Sequence, residues 1–299
     1  MLRLLYRDVD RTPYLYTLRD AAANRGLEIE IVRAAGYEFG ERVLRGEVEV
    51  VAENYYNLQS LRAKGQPFIS VATAVTWLNE SLIVAPHIER IEELRGTKFA
   101  VRGMGPSELI ERLWLEDAGI KDDVEVIVAA DGDVGRWGNW HLVADGTCAG
   151  CIVTNLYVDE ALAAGLKRLP SEPYGFIGNV TLTTARPVME ARRDEIEQLV
   201  RAAFDATDTF KHDRDRTLAI MREEPAQLWR DEQRPYDLER AYEILRDELS
   251  EAPVPSIEGI HNTWRMTLSR SSELKQYNPL PMWDLSFAGK IIEERMASG

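Results

Sequence analysis

Apolar and polar positions alternate along the first half of the chain in two rhythms, short β-branched runs of period two and longer stretches of period 3.6. Residues 2–6 read as a strand and 14–25 as a helix closed by Gly26; 27–33 read as a strand in which Ile29 and Ile31 alternate with Glu28 and Glu30. A short helix over 39–44 ends at Arg45-Gly46, and a buried strand over 48–52 runs into Glu53-Asn54-Tyr55-Tyr56-Asn57. Residues 68–76 and 80–84 are two more apolar runs on either side of Trp77-Leu78-Asn79, and Ala85-Pro86-His87 breaks the pattern.

A second unit follows. It has a short helix over 91–94, a strand over 98–101, a turn holding Gly103 and Gly105, and a helix over 106–118 with Pro106 at its start and Gly119 past its end. A strand over 124–129, a helical turn over 141–144 and a strand over 148–153 lead to Thr154-Asn155-Leu156-Tyr157. The entry Arg45-Gly46-Glu47-Val48-Glu49 is echoed by Ala144-Asp145-Gly146-Thr147-Cys148. Strands alternating with helices predict α/β architecture with a largely parallel sheet. After a strand over 180–184 the composition turns to charged helix over 187–208, 213–223 and 236–249, with Pro225 and Pro235 as separators. Ala252-Pro253-Val254-Pro255 reads as a linker, and 259–298 mixes Trp264, Tyr277, Trp283 and Phe287 with a final helix near 284–296.

Composition narrows the class. The 299 residues are 45% hydrophobic and 29% charged, enough to bury a core and unlike disordered, collagen-like or disulfide-scaffold chains. No run is long enough to span a bilayer as a helix. A formal net charge of -14 opposes nucleic acid and anionic membranes as partners. The N-terminus enters a strand at once, without a basic region, a long apolar region or a cleavage site, and so predicts a cytoplasmic protein, or an exported one whose leader has been trimmed.

The succession of elements resembles the type 2 periplasmic binding proteins, and within them the branch of sulfonate, taurine and nitrate binders and the pyrimidine-precursor proteins of thiamine synthesis. The resemblance rests on Leu44-Arg45-Gly46-Glu47-Val48, on Leu94-Arg95-Gly96-Thr97-Lys98-Phe99-Ala100-Val101 leading to Gly103-x-Gly105-Pro106-Ser107, and on residues 142–165 with Gly146 and Ala164-Gly165-Leu166. It covers residues 1–225 and implies a two-lobed α/β protein with a helical C-terminal tail. Lobe one takes residues 1–84 plus 181–299 and lobe two 85–180, with a small ligand held between lobes that close on a hinge. The same fold also hosts leaderless enzymes, among them dihydroxyphthalate decarboxylase and steps of the futalosine menaquinone route. Two departures stand out: the leader of the transport proteins is missing, and so is the cysteine-rich iron motif of the eukaryotic pyrimidine synthases.

Candidate ligand contacts follow from loops at strand ends. In Arg102-Gly103-Met104-Gly105-Pro106-Ser107, the first-turn N–H groups of a helix, the Ser107 hydroxyl and Arg102 can converge on a carboxylate, sulfonate or phosphate; an ordinary tight turn is the plain alternative. Asn54, Tyr55, Tyr56 and Trp77 offer flat faces and polar handles to an aromatic or heterocyclic ligand, or else Asn54 caps a helix with the tyrosines packed beneath. Asp8, Asp10 and Arg11 follow the first strand, Tyr37 the second, Asp131 and Arg136 lie in the Gly- and Trp-rich stretch 131–141, and Thr154 and Asn155 follow a further strand. Cys148 and Cys151 have C-x-x-C spacing inside an apolar strand and read as buried small residues, and the four histidines lack ligand spacing, so no metal or cofactor is expected.

The expected function is binding of a small organic anion, an aromatic or heterocyclic carboxylate or sulfonate, with a transporter partner if the protein is exported. The alternative is a cofactor-independent lyase, a decarboxylase using Asp8 or Glu53 in the same cleft. An intracellular sensor without chemistry is the third.

Overall fold

In the computed structural model the described residues are 1–6, 12–34, 38–53, 55–78, 80–103, 106–129, 138–178, 180–223 and 238–298. Candidates Asp8, Asp10, Arg11, Tyr37, Asn54, Met104, Gly105, Asp131 and Arg136 lie outside them. The chain divides into two compact units, one of residues 1–78 and 175–299 and one of residues 79–174.

The first unit is built on β1 (Leu2–Tyr6), β2 (Ile29–Arg33), β3 (Val50–Glu53), β4 (Phe68–Thr73) and β12 (Thr181–Ala185), in the order β2-β1-β3-β12-β4. β1 runs parallel to β2 and β3, whereas β12 runs antiparallel to both β3 and β4. Helices cover both faces, which is why the central strands are buried throughout instead of alternating. The short α7 (Arg186–Ala191) leads out of β12. α1 (Thr12–Asn24), α8 (Arg193–His212), α9 (Arg214–Glu223), α10 (Leu238–Glu248) and α12 (Ser286–Ser298) contribute Leu18, Leu199, Leu218, Tyr242 and Phe287 to one core. On the other face α2 (Phe39–Leu44), α3 (Tyr55–Ala63) and α11 (Ile257–Arg270) bring in Phe39, Leu58 and Ile260.

The second unit repeats the plan. Its strands β6 (Glu80–Val84), β7 (Lys98–Arg102), β8 (Glu125–Ala129), β9 (Gly150–Thr154) and β10 (Lys167–Leu169) are ordered β10-β6-β9-β7-β8. β7 is parallel to β8 and β9, and β6 is antiparallel to β9 and β10. Its helices are α4 (Pro106–Asp117), α5 (His141–Ala144) and α6 (Val158–Ala163). The sequence echo is thus structural: α2 and α5 each end in a turn whose glycine, Gly46 at φ 69° or Gly146 at φ 81°, takes the left-handed conformation before β3 or β9.

Three expectations are corrected. β6, placed at the end of lobe one by the division that the resemblance implies, pairs with β9 and β10 and so belongs to the second unit. Residues 175–180 in turn belong to the first, so each boundary falls about six residues earlier than the division implied by the resemblance. The loop expected after β3 is the start of α3, and α11 occupies a stretch where aromatics and Gly259 mask the helical spacing of Ile260, Thr263, Trp264 and Thr267.

Candidate functional site

Ligands of open α/β sheets gather at the carboxyl ends of the parallel strands, and in each unit buried polar side chains are found at that end. In the first unit β3 ends at Glu53, whose register partner on β12 is Thr181, and Thr181 is in turn opposite Thr73 at the end of β4. All three are buried. The Thr181 hydroxyl donates to the Gly178 carbonyl at 3.0 Å and sits 3.0 Å from that of Thr73. Val180, just before Thr181, is held at φ 65°, an uncommon conformation for a β-branched residue, and is itself buried.

Tyr55, expected to face a ligand, is completely buried. Its hydroxyl accepts from Trp283 Nε1 at 2.9 Å and Gln59 Nε2 at 3.3 Å, its ring centroid lies 5.0 Å from that of Trp283, and burial pushes its phenol far up. The structure therefore selects packing beneath the helix start for this residue. Tyr56 is buried as well, whereas Trp77, on β5 (Trp77–Leu78), is 39% exposed. Tyr55→Phe is expected to lower unfolding free energy by about 1–2 kcal/mol in urea melts, because two donors lose their acceptor. It should leave ligand affinity within about twofold, since no ligand contact is removed.

In the second unit Arg102 ends β7, Gly103 follows it, and α4 begins at Pro106. Arg102 is buried, and its Nε donates to Glu111 Oε1 at 2.5 Å, its backbone N–H to Glu111 Oε2 at 2.8 Å and its Nη2 to Glu80. Glu111 is on the second turn of α4 and fully buried; Glu80 opens β6. Two carboxylates hold the Arg102 guanidinium firmly charged, and burial pushes Glu111 up to about 7 against the pull of Arg102. This corrects the expectation of an anion-facing Arg102: its charge is compensated inside the unit. A charged residue on the buried face of α4, beside Ile110 and near Leu115, is the sequence signal that would have exposed Glu111.

Gly103 has no room for a side chain, since a Cβ would collide with the Ala129 carbonyl oxygen at the end of β8, well inside 3.0 Å. Ser107 is half-buried on the first turn of α4, and Thr154 and Asn155 are half-buried at the end of β9. The Ser81 hydroxyl donates to Asn155 Oδ1 at 2.8 Å, and Asn139 Nδ2 donates to the Ile152 carbonyl at 2.9 Å. Within the second unit, then, Arg102, Gly103, Ser107, Thr154 and Asn155 share the carboxyl end of one sheet, with Glu80, Ser81, Glu111 and Asn139 as polar residues that sequence reasoning missed. Cys148 and Cys151 are buried and unbridged, and burial raises both thiols.

This architecture is the type 2 periplasmic-binding-protein fold, α/β with a helical C-terminal segment. The profile of the family described as NMT1/THI5 like matches residues 22–215, and the chain belongs to that family. Among solved structures it is similar to a protein described as the periplasmic sulfonate-binding protein SsuA of Methylobacillus flagellatus KT, at 16% identity and a TM-score of 0.72 over 100% of this chain and 95% of that one. It is similar to the periplasmic aliphatic sulphonate binding protein SsuA of Escherichia coli, at 17% identity and a TM-score of 0.63 over 92% and 94%. It also shares its fold with the desulfurization enzyme DSZB, at 13% identity and a TM-score of 0.65 over 99% and 100%. No curated protein matches the sequence significantly.

Proposed function

We propose that this protein binds a small organic anion reversibly, an aromatic or heterocyclic sulfonate or carboxylate, and delivers it to a membrane transporter. The observation that carries this reading is the start of α4 at the carboxyl end of β7, where Arg102 is compensated by two carboxylates. The first N–H groups of a helix have no acceptor within it, and the helix dipole favours negative charge there. Neutral donors suit an anion that must later be released. Two neighbours of this fold are sulfonate binders, which supports the ligand class. The lyase alternative is not carried forward: Asp8 is outside the described residues, and the likeness to an enzyme at 13% identity concerns the fold alone.

Titration calorimetry with benzenesulfonate, benzoate and the neutral benzenesulfonamide tests the reading. One-to-one binding of an anion is expected, weakened about tenfold in the sulfonamide and a few-fold by Ser107→Ala. Equal binding of the neutral compound, or binding of none of the three, overturns it.

A further inference from the structure

Three charged side chains meet at the carboxyl end of the second unit's sheet. Arg102 closes β7, Glu80 opens β6 opposite Thr154 at the end of β9, and Glu111 lies on the second turn of α4. Both Glu111 oxygens are engaged by one residue, Oε1 by Arg102 Nε at 2.5 Å and Oε2 by the Arg102 backbone N–H at 2.8 Å, while Arg102 Nη2 donates to Glu80. Arg102 and Glu111 are buried and Glu80 is largely so, which leaves little water to screen them. Two carboxylates and one guanidinium carry one negative charge in excess among the three.

Carboxylates that share a buried site resist ionising together, so one of them holds a proton to higher pH than an isolated acid would. Glu111 is that one: burial raises its carboxyl, Arg102 pulls it down, and the charge of Glu80 raises it again. From β9 the buried Cys151 thiol feels the same charge and is raised by its own burial. On α4 itself Glu108 and Arg112 bond each other at 2.9 Å. At the far end of the helix Lys121 pairs with Glu116, Asp123 pairs with Arg95, and Asp117 accepts from the hydroxyl of Tyr174 on β11 (Tyr174–Gly175).

A protonated carboxyl keeps one strong acceptor where the carboxylate has two, so a proton on Glu111 costs Arg102 one of its two bonds there and leaves the guanidinium balanced by Glu80 alone. The effect reaches the start of α4, because Ser107 and Glu111 are four residues apart on one helix face, a spacing that puts Cβ atoms about 5–6 Å apart. We propose that Arg102, Glu80 and Glu111 form a proton switch: a proton taken up by Glu111 frees the end of β7 from one bond and removes the excess negative charge one turn beyond Ser107, so that an organic anion at the start of α4 binds more tightly. By linkage the anion in turn draws a proton in as it binds. The effect on ligand rests on the reading of α4 as the anion site, and the titration of Glu111 is followed without ligand so that the two can fail separately.

Benzenesulfonate, which stays ionised throughout, is titrated by calorimetry at pH 5.5 and 8.5, and at pH 7 in two buffers of different ionisation enthalpy. Affinity about fourfold higher at pH 5.5 is expected, with a fraction of a proton taken up per ligand at pH 7. Without ligand, nuclear magnetic resonance follows the Glu111 carboxyl carbon and the Arg102 amide, whose signals should change with one midpoint because that N–H is bonded to Glu111. Glu111→Gln should bind equally at both pH values, near the wild-type affinity at pH 5.5. Glu80→Gln, which removes the like charge and leaves Arg102 with Glu111, should move the midpoint to lower pH and keeps the test decisive if Glu111→Gln does not fold. Equal wild-type affinity at both pH values without proton uptake overturns the switch and leaves the ligand reading in place. A pH dependence that survives in Glu111→Gln or, if that does not fold, one that Glu80→Gln does not move, also overturns the switch. If the two signals titrate together while benzenesulfonate does not bind, the switch at the end of β7 stands and the ligand reading falls.

Discussion

Arg102→Leu is expected to destabilise the protein by about 3–5 kcal/mol at pH 8, because it leaves Glu80 and Glu111 as facing carboxylates without their cation. Arg102 is 3% exposed and Glu111 0%, so water screens little of that interaction. Urea denaturation at pH 8 and pH 5 checks it. The loss should shrink at pH 5, where Glu111 takes up a proton and its repulsion with Glu80 disappears. A loss below about 1 kcal/mol at pH 8 would place charge compensation elsewhere.

The wild-type protein carries the same sign. The Glu111 carboxyl rises on folding from 4.5 to about 7, so its contribution to stability is full below 4.5 and is lost as pH rises through about 7. Glu111→Gln keeps a hydrogen-bonding side chain without a titrating group and should flatten this decline between pH 5 and 8. Carboxylates lowered by arginine partners, such as Glu195 beside Arg192, act below this window, since their contribution is lost only as pH falls below the ordinary carboxylate range.

The second large effect is expected at Gly103. Alanine there drives a Cβ into the Ala129 carbonyl oxygen, and backbone, unlike a side-chain end, cannot step aside. β7 and β8 must part or the backbone at Gly103 must shift, at about 1–3 kcal/mol. If the anion sits on the first turn of α4, that shift should also weaken benzenesulfonate by about tenfold or more. Gly289 is the contrast: it lies inside α12, and a Cβ added there would meet nothing within 4 Å. Alanine at that position should stabilise by about 0.5–1 kcal/mol and leave binding alone. Thermal melts and calorimetry on the two variants separate a local steric clash from a general dislike of substitution.

Much of the fold is written locally. Strands β1, β2 and β7, helices α1 and α4 and the left-handed glycines Gly26, Gly46, Gly119 and Gly146 follow from periods and caps that a few neighbouring residues determine. The family resemblance follows from the same motifs in order, as does the placing of candidate loops at the carboxyl ends of strands.

What the chain does not announce locally is which residue meets which. Tyr55 after a strand looks the same whether it faces a ligand or Trp283, and Trp283 lies 228 residues away. Arg102 before a glycine turn looks like an anion receptor until α4 folds back and places Glu111 against it, with Glu80 closing from β6. β6 follows lobe one in sequence, and only its pairing with β9, some 70 residues on, assigns it to the second sheet. Local periodicity is thus the property of the sequence itself. The partners of buried polar groups and strand edges are chosen by the tertiary structure, because burial leaves each of them to be satisfied by whatever the fold brings near.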